Sequence, residues 1–150
     1  MPFMAVAIRS ATLDDVPEIL DMERQASSAA HWNAAAYTEL VNSGVVLVAE
    51  ETGKLRGFIC AKAVAGEWEI ENVVVAGEFI RRGVGSELMR ELIRHAQRES
   101  ASLIRLEVRV SNLPARALYL KHGFRESGRR KEYYNAPVEY AVLYSLPLDR

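Results

Sequence analysis

One short segment near the middle of the chain has the residue types of an anion-binding loop: Arg81-Arg82-Gly83-Val84-Gly85-Ser86. Two glycines separated by one residue let a backbone turn tightly and approach a ligand without an intervening Cβ atom. An amphipathic stretch follows, and the helix it predicts would direct free N–H groups and a positive dipole end at the turn. The segment therefore predicts a loop that binds a polyanion, most simply a pyrophosphate. The alternative for the arginine pair is a solvated surface charge.

Two well-known phosphate loops do not match this segment. A P-loop ends in Gly-Lys followed by Ser or Thr, and the chain contains no such tripeptide. A dinucleotide-binding loop has a third glycine three residues after the second, where this chain has Leu88. The loop therefore belongs to neither class.

Three polar residues downstream of the loop are suited to proton transfer or ligand binding. Glu107 lies in the middle of an alternating apolar run, on the parity opposite the apolar residues. In a half-wet cleft it could act as a general base; otherwise it belongs to a solvated Arg-Glu-Arg face. Tyr119 is either a core aromatic or a proton donor aimed at the sheet. Asn112 is either a helix cap alone or also a ligand-binding group.

Apolar periodicity predicts the elements that must position these residues, in the order β-α-α-β-β-β-α-β-α-β-β. Helices are expected over residues 12–25, 33–41, 84–96 and 112–123. Strands are expected over residues 4–10, 45–49, 55–64, 67–76, 103–110, 124–134 and 138–146. This order predicts an α/β fold with a mixed sheet.

The pattern of the fourth strand slips by one residue. Trp68 and Ile70 share one parity, Asn72 breaks the alternation, and the next three residues are all apolar. Such a slip predicts a β-bulge, which releases backbone N–H groups from the ladder. An ordinary strand entering the core is the alternative.

Composition limits the classes of function. The chain has 150 residues, 49% of them hydrophobic, which fits one domain spanning residues 1–150. A net charge of −1 gives no general attraction to nucleic acid or to anionic membranes. Cys60 is the only cysteine and is expected in the core, so no internal disulfide is possible. The three histidines have no metal-ligand spacing, no secretory signal is evident, and a reducing cytoplasm is expected.

Four segments carry a resemblance to a known family: Asn72-Val73-Val74-Val75, Phe79-x-Arg81-Arg82-Gly83-Val84-Gly85, Leu106-Glu107-Val108-Arg109-x-Ser111-Asn112 and Ala117-Leu118-Tyr119-x-x-x-Gly123-Phe124. Together they resemble the GNAT acetyltransferases, and more narrowly the RimI group of ribosomal-protein alanine N-acetyltransferases. The segment Arg130-x-x-Tyr133-Tyr134 supports the narrower resemblance. The resemblance extends from about residue 67 to the end and is looser before that, although His31-Trp32-Asn33 fits the short second helix of this group.

The resemblance implies a fold and a co-substrate. The GNAT fold is a mostly antiparallel sheet flanked by helices and splayed between its fourth and fifth strands. Acetyl-coenzyme A would bind with its pyrophosphate on the glycine loop and its pantetheine arm between the splayed strands, and no metal is needed. The binding residues would be Val73, Val74, Val75, Arg81, Arg82, Gly83, Val84, Gly85, Ser86 and Asn112. Ile80 stands where the family usually has Gln or Arg, a contact that Arg81 could replace.

The resemblance also implies a mechanism. The amine would attack the thioester directly in a ternary complex, with a backbone N–H near Val75 polarising the carbonyl. Glu107 would remove a proton from the amine, and Tyr119 would protonate the departing thiolate. Trp32, Tyr133 and Tyr134 would wall the entrance for the acceptor; the alternative is that these aromatic residues simply close the edge of the core.

The implied acceptor is a protein N-terminal α-amine, most narrowly the N-terminal alanine of the eighteenth small-subunit ribosomal protein. A lysine or a small-molecule amine is the alternative acceptor. A sensor that binds acetyl-coenzyme A without turnover would need neither Glu107 nor Tyr119. We expect a cytoplasmic enzyme with a protein or peptide partner, no nucleic-acid or membrane partner, and a monomeric or weakly dimeric state.

Overall fold

The computed structural model describes residues 6–26, 31–80, 82–134 and 138–148. Their strands are β1 (Ala7–Ser10), β2 (Val45–Glu51), β3 (Lys54–Val64), β4 (Glu67–Val75), β5 (Leu103–Arg109), β6 (Arg125–Tyr134) and β7 (Glu139–Pro147). Their α-helices are α1 (Val16–Gln25), α2 (Ala34–Ser43), α3 (Val84–Arg98) and α4 (Leu113–Lys121), with 3-10 turns at Leu13–Asp15 and Gly77–Phe79. The predicted element order is confirmed. No helix in this part of the chain is long and apolar enough to cross a membrane.

Helix ends follow local side-chain chemistry. Asn33 and Asn112 cap α2 and α4, each accepting a hydrogen bond from a backbone N–H three residues on. Helix α2 continues two residues beyond the predicted end and stops at Gly44, whose N–H donates to the Leu40 carbonyl at 2.8 Å. The polar residues just before Gly44 can occupy the last turn because they are exposed to solvent at the end of the helix.

The strands form one sheet in the order β1-β2-β3-β4-β5-β7-β6. Neighbouring strands are antiparallel except for β4 and β5, which are parallel. This parallel pairing joins only residues 67–69 to residues 103–105, although both strands continue beyond it. The mostly antiparallel sheet that opens between its fourth and fifth strands is therefore confirmed.

The predicted bulge in β4 is present at Glu71. Cys60 of β3 lies opposite Asn72, and the next residue of β3, Ala61, lies opposite Ile70, so Glu71 is the extra residue. The insertion changes the face to which alternate side chains point. Ile70 packs in the core under α3, whereas Val74 packs in the core under α1 and α2.

Two apolar cores lie on opposite faces of the sheet. The larger contains the stripe of α3 predicted from the sequence, including Leu88, Met89 and Leu92, together with alternate residues of β5 and β7. The smaller lies between α1, α2 and strands β2 to β4, and Cys60 is buried in it, as expected, with the pKa of its thiol raised by burial. Among the described residues the smaller core contains no buried residue of β5, β6 or β7. That face of the second half of the sheet therefore remains open, and we call it the open face.

Candidate active site

The glycine loop leads directly into α3. Gly83 has a φ of +84° and caps the helix, and its carbonyl accepts the Glu87 N–H at 3.0 Å. The N–H groups of Val84, Gly85 and Ser86 come first in the helix, and the first N–H groups of an α-helix have no partner within the helix. They point outward together with the positive end of the helix dipole, as a backbone site for an anion requires.

Around the loop, two arginine side chains lie near an aromatic ring and one serine side chain is buried between helices. The guanidinium groups of Arg56 and Arg82 lie 4.5 and 5.4 Å from the centre of the Phe79 ring. The hydroxyl of Ser86 is buried and accepts a hydrogen bond from Lys121 Nζ at 3.1 Å, so this side chain ties α3 to α4. Ile80 is 57% exposed. Arg81, which the sequence predicted as a cofactor contact, lies outside the described residues.

Gly83 is the loop position that most needs glycine. We expect Gly83→Val to weaken coenzyme A binding by at least about tenfold, because a β-branched residue is strained at positive φ and would shift the first helical N–H groups. At Gly85, by contrast, an added Cβ would meet Val75 and Leu118 side chains at an ordinary 3.6 Å. Isothermal titration calorimetry with coenzyme A measures the loss.

Gly66→Val is the matched control for this prediction. Gly66 has a φ of +81° in the turn between β3 and β4, with open space around it. Its substitution should cost stability through the same backbone strain, about 1–2 kcal/mol, and leave coenzyme A affinity unchanged. Equal affinities for the Gly83 and Gly66 variants would contradict the loop assignment.

The opening between β4 and β5 exposes backbone groups to a ligand. The Ala76 N–H donates to Arg56 of β3 at 2.8 Å, so the alternation of the ladder directs the N–H groups of Val75 and Val73 away from β3. The Val73 N–H meets the Asn72 side-chain oxygen at 3.1 Å. The Val75 N–H therefore faces the opening, where an extended ligand could add to the sheet edge.

Glu107 projects from β5 onto the open face. Its neighbours Leu106 and Val108 are buried in the larger core, which confirms the predicted alternation. Its side chain is 22% exposed, and its Oε1 atom lies 3.2 Å from Nη2 of Arg130 on β6. Both residues line a cleft of about 330 Å³ together with Glu69, Arg105 and Ser127. The carboxylate is thus accessible yet paired.

Tyr119 lies in the core below the sheet. Its ring is 5.9 Å from the rings of Phe124 and Tyr144, and burial, with smaller contributions from Tyr134 and Tyr144, raises the pKa of its hydroxyl. The hydroxyl consequently stays protonated at neutral pH. Tyr119 is therefore a buried member of the larger core, and a protonated hydroxyl is also what a proton donor needs, so its catalytic role stays a prediction.

Tyr134 connects the two candidate catalytic groups electrostatically. Burial raises the pKa of its hydroxyl, and the Glu107 carboxylate raises it further. Tyr134 also interacts with Tyr119, its ring meets the Tyr133 ring edge to face at 5.2 Å, and it lies 4.5 Å from the Arg109 guanidinium. The aromatic pair predicted for the entrance therefore lies beside Glu107.

Trp32 lies just before α2, packed against the smaller core. Its backbone N–H donates to Glu23 Oε1 at 2.6 Å, and its indole nitrogen is buried with no hydrogen-bond partner among the described residues. Its position opposite Tyr133 and Tyr134 stays a prediction.

A buried polar network near Trp32 escaped the sequence prediction. Glu23, 2% exposed, also accepts a hydrogen bond from the Tyr37 hydroxyl at 2.8 Å. That hydroxyl accepts in turn from the Asn72 amide at 3.1 Å. The network joins α1 and α2 to the bulged strand. The only signal in the sequence was a glutamate on the apolar face of α1, which a helical projection would have revealed.

Comparisons with known proteins extend this geometry. A family model described as acetyltransferase (GNAT) family matches residues 8–124. A Bacillus subtilis (strain 168) protein, named as a candidate ribosomal protein bS18-alanine N-acetyltransferase, is 30% identical over 139 residues, which cover 91% of this chain and 92% of the relative. The ribosomal protein bS18-alanine N-acetyltransferase of Escherichia coli (strain K12) is 33% identical over 101 residues, 66% of this chain and 68% of the relative.

A solved structure agrees with the sequence comparisons. The crystal structure of the ribosomal-protein-S18-alanine N-acetyltransferase from Escherichia coli matches with a TM-score of 0.89 and 28% identity, over 97% of this chain and 95% of that chain.

Proposed function

The chain belongs to the acetyltransferase (GNAT) family and is an acetyl-coenzyme A-dependent N-acetyltransferase, and from this premise we propose that its acceptor is the N-terminal alanine of ribosomal protein bS18. The observation that carries the proposal is the pair of relatives named for this activity, at 30% and 33% identity. Such an acceptor would place the reaction in the cytoplasm, where ribosomal subunits are made.

The residues present fit a coenzyme A thioester. Acetyl-coenzyme A supplies a thioester carbonyl that is susceptible to attack by an amine. The N–H groups that begin α3 would hold its pyrophosphate, with Arg82 contributing charge at the rim. The edges of β4 and β5 would hold the pantetheine arm by strand-like hydrogen bonds, and the Val75 N–H would donate to the thioester carbonyl oxygen. Asn112 would contact the same arm while capping α4.

Two side chains would move protons. Glu107 would accept a proton from the acceptor amine, directly or through one water, because it is the carboxylate on β5 that faces the cleft. Tyr119 would donate its hydroxyl proton to the sulfur of the leaving thiolate, since its burial keeps that proton in place at neutral pH. The amine attacks directly in this mechanism, and Cys60 has no part in it.

An α-amine suits this site better than a lysine side chain. The nucleophile must be neutral, and reference pKa values are about 8 for an α-amino group and about 10.4 for lysine, so deprotonating lysine costs roughly 3 kcal/mol more. A single carboxylate base is sufficient for the easier proton. Tyr133, 47% exposed, and Tyr134 would form one wall of the entrance for an extended chain end.

A competition assay tests the acceptor. One peptide begins with Ala-Arg and contains no lysine; the other differs from it only in a blocked N-terminus and one internal lysine. We expect acetylation of the first to exceed that of the second by at least about a hundredfold, consistent with the amine pKa difference. Mass spectrometry locates the acetyl group. Comparable acetylation of the blocked peptide would exclude the N-terminal acceptor and favour a general amine acetyltransferase.

A further inference from the structure

The ion pair between Arg130 and Glu107 differs from its neighbours on and beside the open face. Glu67, Glu69, Glu71 and Glu139 each pair with a cation on an adjacent strand, from the set Lys62, Arg105 and Arg109. Arg130 instead reaches Glu107 from β6 across the intervening strand β7. At about 4.8 Å between strands, the two side chains together must span nearly 10 Å of sheet. Such an extended arrangement restricts a long side chain that would otherwise be free.

The Arg130 guanidinium makes a second contact in the same conformation. Its guanidinium carbon lies 5.1 Å from the centre of the Tyr133 ring, within the range of a cation–π interaction. The register of β6 against β7 is irregular between Arg130 and Tyr134, so the backbone here is not fixed by continuous pairing. The Arg130 side chain is 53% exposed, so solvent borders it on one side and the aromatic ring on another.

We propose that Arg130 occupies the place of the acceptor's ammonium group on Glu107, and that its displacement from the carboxylate is part of acceptor binding. This inference rests on the proposed role of Glu107 as the base. Arg130 is then a positioning residue: it satisfies the carboxylate when no acceptor is bound and competes with the cationic form of the amine. An uncharged amine does not have to compete in this way, so the residue favours the form that can attack.

Several charged groups surround Glu107, and they determine which cation pairs with it. The groups near it are Glu69 and Glu71 on β4, with Lys62 behind them on β3, Arg105 and Arg109 on β5, and Arg130 and Tyr134 on β6. Burial raises the pKa of the Glu71 carboxyl, with Lys62 opposing that shift. Lys62, Arg105 and Arg109 each have a carboxylate partner other than Glu107, which leaves Arg130 as the cation paired with the base among the described residues.

Arg130→Met is the direct test, with Arg130→Gln as a second neutral variant. We expect the KM for the acceptor to fall about two- to fivefold, the range for a partly exposed ion pair. The acidic limb of the kcat profile should move to higher pH by about 0.2–0.7 units, because the bound ammonium form is no longer disfavoured. Arg130→Lys should restore both values to within twofold and 0.2 units of wild type.

Arg129→Met is the matched control, because Arg129 precedes Arg130 on β6 and pairs instead with Glu126 at 2.8 Å. It should leave the acceptor KM and the pH profile unchanged. The inference would be overturned if Arg130→Met had a higher acceptor KM, or if its KM and pH profile equalled those of Arg129→Met. Unchanged coenzyme A affinity verifies that the variants are folded. The comparison uses whichever amine the wild-type enzyme acetylates. Failure of the N-terminal peptide therefore contradicts the proposed acceptor alone.

Discussion

Tyr119→Phe lowers kcat by about 10²–10⁴-fold and leaves coenzyme A affinity within twofold of wild type, if the hydroxyl protonates the leaving thiolate. The substitution removes one oxygen and keeps the ring that packs against Phe124 and Tyr144. Ground-state binding should be preserved, since the proton is transferred only as the carbon–sulfur bond breaks. Steady-state assays at saturating acetyl-coenzyme A measure kcat, and calorimetry measures the affinity for coenzyme A.

Tyr144→Phe provides the control for this experiment. Tyr144 is also buried, contacts the Tyr119 ring, and accepts a hydrogen bond from Arg116 Nε at 2.9 Å. Loss of this hydrogen bond should lower the free energy of unfolding by about 1 kcal/mol. The Tyr144→Phe variant should change kcat much less than the Tyr119→Phe variant does. A Tyr119→Phe effect below threefold would mean that water or another group protonates the thiolate.

Glu107→Gln is expected to lower kcat/KM by about 10²–10⁴-fold near neutral pH and to change the shape of its pH dependence. Without a base, attack must wait for acceptor molecules that have already lost a proton, and α-amines do so with a pKa of about 8. The activity of the variant should therefore rise with pH up to that range and recover part of the loss. Gln keeps the size of the side chain, so the packing of β5 is retained.

Glu67→Gln is the matched control for the Glu107 variant. Glu67 is also a strand carboxylate paired with an arginine, Arg105, at 2.6 Å. Its neutralisation should leave the pH profile in place. If Glu107→Gln keeps the acidic limb of the wild-type enzyme, Glu107 is not the group that accepts the proton.

Local patterns were sufficient to predict most of the fold. The alternation around Glu107, the stripe of α3 and the caps at Asn33 and Asn112 each depend on residues close in sequence, so their signals are readable without tertiary information. The bulge was predictable for the same reason: an inserted residue shifts the apolar parity of a single strand. The splayed sheet was predicted only through the family resemblance, because strand order depends on contacts between distant segments.

The candidate site was predicted less completely. The network of Glu23, Tyr37 and Asn72 joins three elements across 49 positions of sequence, and its one local signal, a glutamate on the apolar face of α1, does not reveal its partners. The pairing of Arg130 with Glu107 depends on the order β5-β7-β6, in which a strand late in the chain inserts between its neighbours. The sequence did not indicate that Gly83 is the loop glycine under backbone constraint, and the structure shows this through its positive φ.

The brief parallel junction between β4 and β5 has a mechanical consequence. Three residue pairs connect a four-stranded half of the sheet to a three-stranded half. The seam between these halves is where native opening should need the least free energy, because few backbone bonds must break there. A bound coenzyme would bridge the seam, and at a hundredfold excess over its Kd it would add about 2.7 kcal/mol to the stability of the closed form. Coenzyme A, with or without its acetyl group, would then brace the two halves of the sheet, and resistance to proteolysis would rise with its concentration.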